Sequence, residues 1–386
     1  MISRILSPLK NSILLLGPRG VGKTTFVLSH YPAQQTFVVN LLDTDVFLRY
    51  SRHPQQFKAD VLKKVHEGFK YCLVDEVQKL PVLLDVVHDL MHSDACTFIL
   101  TGSSARKLKR GASNLLAGRA LQYFLFPFVY SEISQPYDLE NILRFGSLPA
   151  AYTAEAALKI KFLQTYVNTY LAEEVQAESL TRNLGGFSRF LEVAASQCGD
   201  ILSYQNVGQA CQVSAKTVQA YFQILEDTLL GFRLEPWRKS LKKRLVAHPR
   251  FYLFDTGVTN AINRRLSNPP DPQTRGRLFE QLMILESQRM LHYCGSEARL
   301  FFWRTEHGAE VDMLIEKHGE ITAAIEFKST SELGKQDFNG LHTFAQDQKN
   351  VPCYIVYCGL QSYQAGTVTV LTYQDFLRQL KEFLLG

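Results

Sequence analysis

The 386-residue chain has no apolar run approaching the roughly 20 residues that a membrane-spanning helix needs, so no membrane partner is expected. Its seven cysteines include no C-x-x-C pair, which argues against a disulfide framework or a zinc ribbon. A reducing cytoplasm is therefore the expected compartment. The opening Met1-Ile2-Ser3-Arg4-Ile5-Leu6 is too short, and too soon interrupted by Pro8 and Lys10, to be expected as a secretion signal. A dominant charge of one sign is also lacking. The 42 Lys and Arg against 37 Asp and Glu leave +5, which permits a polyanionic partner without demanding one. At 46% hydrophobic and 20% charged, the chain is composed like a soluble globular protein, and its length suggests two to four domains.

Near the N-terminus stands Gly17-Pro18-Arg19-Gly20-Val21-Gly22-Lys23-Thr24, a match to the G-x-x-x-x-G-K-[ST] phosphate loop, with Thr25 following. Ser12 to Leu16 before it reads as a buried strand, and Lys23 onward as a helix. Such a loop wraps a triphosphate with backbone N–H groups at a helix N-terminus. Lys23 would reach the β- and γ-phosphates, and Thr24 would ligate Mg²⁺. ATP and Mg²⁺ are thus the expected cofactors. Tyr71-Cys72-Leu73-Val74-Asp75-Glu76 is an apolar strand ending in carboxylates, a Walker B pattern. Asp75 would hold Mg²⁺, and Glu76 would act as general base toward water. Thr97 to Ser104 supplies another strand, with Ser103 or Ser104 placed to sense the γ-phosphate. Arg119, after Leu115-Leu116-Ala117-Gly118, would neutralise transition-state charge in its own subunit or a neighbour's. A solvated arginine at a helix end explains the residue equally well. His88 and His92 have the spacing of a zinc-protease helix, but Asp89 stands where the base would be, so a plain crossover helix is expected.

This succession resembles an AAA+ ATPase. The whole chain resembles a prokaryotic family in which that core is fused to a C-terminal domain of largely unassigned function. The stretches that carry the resemblance include Pro127-Phe128 with Glu132, Gly146-Ser147-Leu148-Pro149, Phe251 to Gly257, and Gly276-Arg277-Leu278-Phe279-Glu280. The expected fold class is α/β: a P-loop parallel-sheet core, a helical lid, a winged helix-turn-helix and a restriction-endonuclease-like C-terminal domain. The corresponding boundaries are 1–130, 131–178, 179–255 and 256–386.

Within the lid, Leu158 to Val167 has a helical period, and Arg144 and Lys159 are cations that either meet phosphate or are simply solvated. Ser203 to Leu225 reads as helix, turn, helix, with Lys216, Gln219 and Gln223 outward on the second helix. Leu230 to Trp237 and Phe251 to Phe254 would be the strands of a wing. Between them Arg238, Lys239, Lys242, Lys243, Arg244 and Arg250 appear without an acid, a footprint for DNA phosphates. The expected DNA-contacting residues are Lys216, Gln219, Arg238, Lys239, Lys242, Lys243 and Arg244; a solubilising hairpin is the alternative.

Farther on, Glu280 lies on an apolar-periodic helix, Asp312 on one strand, and Glu326-Phe327-Lys328 on the next. Alternation in a strand puts Glu326 and Lys328 on one face. Glu280, Asp312 and Glu326 would hold Mg²⁺, with Lys328 serving water or the transition state. This resembles the PD-(D/E)XK nuclease core, with Val311 in place of the first proline. An active nuclease and an inactive binding relic both remain open. The leading expectation is an ATPase acting on DNA, branched repair or recombination intermediates included. A nucleotide-gated defence nuclease and a protein-remodelling or signalling ATPase are the alternatives. A homo-oligomer is compatible with the core, and so is a monomer.

Overall fold

The computed structural model describes residues 2–7, 11–104, 119–133, 135–171, 184–238 and 248–385. The chain forms two compact units, Met1–Pro127 with Asp227–Leu230, and Phe128–Glu226 with Gly231–Gly386.

In the first unit, β1 (Ile13–Leu16), β2 (Thr36–Asn40), β3 (Tyr71–Asp75), β4 (Thr97–Gly102) and β5 (Leu121–Phe124) form a sheet in the order β2-β3-β4-β1-β5. All its pairings are parallel. A parallel sheet is covered on both faces, which is why β1, β3 and β4 read as continuous apolar runs rather than alternating ones. Helices Lys23–His30, Thr44–Arg52, Pro54–His66 and Leu83–His92 lie between the strands in sequence. Leu14, Leu16, Val74, Phe98 and Leu100 pack with Phe57, Val61, Leu83, Leu84 and Val87 in one core. The chain's path reverses between β1 and β4, and the crevice outside their carboxyl ends is where such sheets bind ligands.

The second unit carries a mixed sheet in the order β12-β13-β11-β10-β9-β8-β6-β7. Its strands are β6 (Gly231–Pro236), β7 (Arg250–Leu253), β8 (Arg299–Arg304), β9 (Glu310–Lys317), β10 (Glu320–Lys328), β11 (Cys353–Tyr357), β12 (Tyr363–Ala365) and β13 (Val368–Thr372). β9 and β10 join through His318 and Gly319, both at positive φ (51° and 87°), the geometry of a tight hairpin turn. The helix Pro272–Cys294 starts where Asp271 accepts the Thr274 N–H at 3.0 Å and stops at Gly295, in the left-handed region at φ 61°.

Helices Tyr204–Cys211 and Ala215–Asp227 appear where the sequence placed them, joined through Gln212 at φ 57°. Ser203 caps the first, accepting from Asn206 N–H, and Ser214 Oγ accepts the Thr217 N–H at the second. Their apolar faces meet Phe190 and Phe251: Phe222 lies 4.8 Å from each ring. β6 and β7 do pair antiparallel, but Glu235 and Pro236 also pair in parallel with Phe301 and Phe302 of β8. The hairpin is the edge of the large sheet, so a boundary at 255 would cut that sheet.

Buried polar groups tie residues on either side of position 178 together. Asp255 Oδ2 accepts the Ser147 N–H at 2.9 Å, and Arg289 donates to the carbonyls of Phe128 (3.1 Å) and Phe254 (2.7 Å). Gly146 has φ 70°, and a Cβ there would strike the Asp255 carboxylate. Arg144 and Lys159 are likewise spoken for within this unit. Arg144 donates to the Leu266 and Ser267 carbonyls, and buried Lys159 donates to Asn141 Oδ1 at 3.0 Å.

Candidate nucleotide site and carboxylate cluster

The phosphate loop leaves β1 at Gly17, whose N–H donates to the Gly102 carbonyl at 3.2 Å. A Cβ on Gly17 would strike the Leu125 carbonyl oxygen. Gly20 and Gly22 stand at φ 84° and 88°, a region closed to most side chains. Buried Val21 is a packing residue, while Thr25 is exposed on the helix. Arg4, which the sequence reading passed over, braces the loop by donating to the Val21 and Phe126 carbonyls. Lys23 is 5% exposed; its Nζ donates to Gly17 O (2.8 Å) and Pro18 O (3.2 Å) and lies 4.0 Å from Glu76 Oε1.

Residues distant in sequence meet beside this loop. Thr24 Oγ1 donates to Asp75 Oδ2 at 2.8 Å, so two oxygens of the kind Mg²⁺ prefers are already together. Thr101 Oγ1 donates to the other Asp75 oxygen and accepts the Glu76 N–H at 3.1 Å. Glu76 itself sits at φ 58°, a left-handed conformation that costs a non-glycine residue about 1–3 kcal/mol and recurs at functional sites. Its Oε2 accepts from Gln78 Nε2 and from Ser103 Oγ (3.1 Å), and Gln78 Nε2 also donates to Ser103 Oγ at 2.9 Å. Gln78 and Thr101 were missed as site residues. Thr101 was visible as the strand-end hydroxyl just before Ser103, whereas nothing in the local pattern marks Gln78.

Arg119 lies elsewhere on this unit. It directly precedes β5, and Leu121 pairs with Ile13 at the amino end of β1, away from the loop at the carboxyl end. Its Nη1 pairs with His88 Nε2 at 2.8 Å. Arg119 is therefore not beside the phosphate loop of its own chain. Residues 115–118 lie outside the described residues.

In the second unit Glu280 and Asp312 come together on Arg250, a residue expected elsewhere, and Lys328 pairs with Glu326 nearby. Arg250, expected among the exposed basic residues, is 4% exposed. Its Nη1 donates to Glu280 Oε1 at 2.9 Å and lies 3.4 Å from Asp312 Oδ1, and its Nη2 donates to Glu310 Oε2 at 2.9 Å. Tyr252 Oη donates to Glu280 Oε1 at 2.6 Å, the Phe327 N–H to Asp312 Oδ2 at 3.0 Å, and Lys328 Nζ to Glu326 Oε1 at 2.9 Å. Burial, and then Asp312, push Glu280 up to about 7 and Glu326 up to about 8, against the opposing pull of Arg250 and Lys328. Among the described residues no three His, Cys, Asp or Glu are set to hold a metal ion.

Of the residues expected to meet DNA, Lys216 and Gln219 are exposed on Ala215–Asp227 and Arg238 is half-buried. Lys239, Lys242, Lys243 and Arg244 lie outside the described residues. No helix among the described residues is long and apolar enough to cross a membrane.

Comparison with known proteins agrees with the first unit's geometry. Residues 9–134 match the model of an AAA domain. Residues 136–269 match a domain of unknown function (DUF8612) and residues 275–376 another (DUF4143). An uncharacterized protein of Mycobacterium tuberculosis is 26% identical over 332 residues, covering 83% of this chain and 70% of that one. One from Haemophilus influenzae is 19% identical over 280 residues, covering 66% and 70%. Among solved structures, the Aeropyrum pernix ORC1 protein in complex with DNA aligns with TM-score 0.25 and 12% identity, over 66% of this chain and 86% of that one. That alignment is too loose to carry an argument. The chain thus carries an AAA-family domain over residues 9–134, followed by segments matching two domain families of unknown function.

Proposed function

We propose that this chain is an ATP-hydrolysing AAA protein that acts on DNA. The observation that carries the hydrolytic part is the Thr24–Asp75 hydrogen bond beside a Glu76 carboxylate held by Gln78 and Ser103. The loop amides from Arg19 to Thr25 and Lys23 Nζ bind the phosphates, where helix-end N–H groups favour negative charge. Thr24 Oγ1 and Asp75 fit Mg²⁺, which when bound neutralises phosphate charge. Glu76 accepts the proton of the attacking water, while Gln78 and Ser103 fix the direction of its carboxylate. Ser103 also senses a γ-phosphate oxygen, a role supported by its hydrogen bonds to Glu76 and Gln78. Arg119 serves a neighbouring subunit's site, which calls for a homo-oligomer.

The DNA part is supported by exposed Lys216 and Gln219 and by the one-signed charge of Arg238, Lys239, Lys242, Lys243 and Arg244. Contacts of this kind read the phosphate backbone rather than base sequence. Branched repair or recombination intermediates are the preferred substrates. Metal-dependent DNA cleavage is left out, because Arg250 fills the centre of the carboxylate cluster.

ATP turnover with and without duplex, single-stranded, forked and four-way DNA tests both parts. Turnover is expected to be lost in Lys23→Ala and raised by DNA, most by branched forms. Turnover that survives Lys23→Ala would refute the hydrolytic part. Lys23-dependent turnover that no DNA alters, with no DNA bound, would refute the DNA part in favour of protein remodelling or signalling.

A further inference from the structure

We propose that Arg250 is the resident cation of the carboxylate cluster, standing where a nuclease-type divalent ion would stand, and that the chain binds no Mg²⁺ or Mn²⁺ there. The guanidinium is a planar fork with several donors, suited to carboxylates arriving from different elements. Here those carboxylates come from the helix Pro272–Cys294 (Glu280) and from β9 (Glu310, Asp312), at 2.9, 2.9 and 3.4 Å. Below the guanidinium lies the Phe302 ring, 4.9 Å from Cζ to the ring centroid. The Arg250 side chain is only 5% exposed, so its charge is met by these groups rather than by water.

A Mg²⁺ or Mn²⁺ ion needs its oxygens to converge on one point at about 2.0–2.2 Å. Glu280 Oε1 and Asp312 Oδ1 instead converge on Arg250 Nη1. The remaining Asp312 oxygen accepts the Phe327 N–H, and Glu326 Oε1 accepts from Lys328. Glu326 Oε2 is buried without a hydrogen-bond partner, the one atom that argues for an ion. Its partner oxygen already accepts from Lys328 Nζ at 2.9 Å, so a side-chain cation meets that carboxylate without a metal. Should Arg250 leave, Glu280 and Asp312 would stay behind without the cation they share, an expensive arrangement that a divalent ion would relieve. Arginine and metal are thus alternative occupants. None of this depends on the nucleotide site of the first unit.

The test is a Mn²⁺ titration of the nucleotide-free full chain, followed by loss of the free-ion paramagnetic resonance signal. Four proteins are compared: the parent, Asp312→Asn, Arg250→Ala and the double variant. Parent and Asp312→Asn are expected to give the same curve. Arg250→Ala is expected to gain one Mn²⁺ site that the parent lacks, and the double variant to lose it. Tryptophan fluorescence checks folding, with Arg250→Gln replacing Arg250→Ala if the latter does not fold. Binding by the parent that falls in Asp312→Asn would overturn the proposal. So would a folded Arg250→Ala or Arg250→Gln protein that gains no Asp312-dependent ion.

Discussion

Glu286 offers a prediction whose size follows from its surroundings. It lies on the helix Pro272–Cys294, is 2% exposed, and accepts the Tyr130 N–H on both oxygens at 3.2 and 3.1 Å. Burial pushes its carboxyl group from 4.5 up to about 7, although Arg289 and the Tyr130 N–H pull it back; Glu132 adds to the rise. The folded chain therefore holds a proton between about pH 4.5 and pH 7 that the unfolded chain releases. Stability from this group is fully present below about 4.5 and lost as pH rises through about 7. A shift of about 2.5 units at 1.36 kcal/mol each gives about 3 kcal/mol. Glu286→Gln stays neutral and keeps an acceptor for Tyr130, so it should lose that slope. Urea unfolding between pH 5 and 8 measures it. Both tryptophans of the chain, Trp237 and Trp303, lie in the second unit, so their fluorescence follows the unit that holds Glu286. Relative to the parent, the variant should gain about 2–3 kcal/mol from pH 5 to pH 8, most of the full change. Parallel curves for the two proteins would refute the argument, whatever Glu280 and Glu326 contribute, because those groups are common to both.

For the nucleotide site, Glu76→Gln should bind ATP normally and hydrolyse it about 10² to 10⁴ times more slowly. A parental rate in single-turnover assays would remove Glu76 as the base. Gln78→Leu deprives the Glu76 carboxylate of one charge-assisted donor, worth about 1.5–3 kcal/mol, so kcat should fall about ten- to a hundredfold with little change in nucleotide affinity. An unchanged kcat would make Gln78 a packing residue. Mixing Arg119→Ala with Lys23→Ala protein should restore turnover, since each supplies what the other lacks; no recovery would count against a role in a neighbouring subunit. Neutralising Lys242, Lys243 and Arg244 together should weaken DNA binding and lower the slope of log affinity against log salt by about one per lost phosphate contact. An unchanged slope would move the DNA surface elsewhere, with Lys107, Lys109 and Arg110 the next candidates.

What could be read from the sequence and what could not differ in one physical respect. The phosphate loop is legible because its parts are chain neighbours: glycines at 20 and 22 supply left-handed backbone, and Lys23 and Thr24 start the helix. Asp75, though 51 residues from Thr24, is legible too, because both terminate apolar strand–turn units and a parallel sheet brings such ends to one edge. Gln78 escaped because the two donations of its Nε2 depend on a tight turn after β3 that no spacing rule describes. Arg250 was misread for a deeper reason. Counting charge along the chain assigns a cation to the surface unless its partner is visible, and its partners lie 30, 60 and 62 residues away. One local sign was present. Arg250 and Tyr252 stand at i and i+2, two polar side chains on one face of an otherwise apolar strand, and both reach Glu280. Even that sign would have named a buried polar face without naming what it meets. Arg250 meets Glu310 and Asp312 only because β7 pairs β6, β6 extends onto β8, and β8 pairs β9. A motif made of neighbours is carried by spacing, whereas a cation and its carboxylates are matched by the order of strands across a sheet, and that order follows from packing rather than from any local pattern.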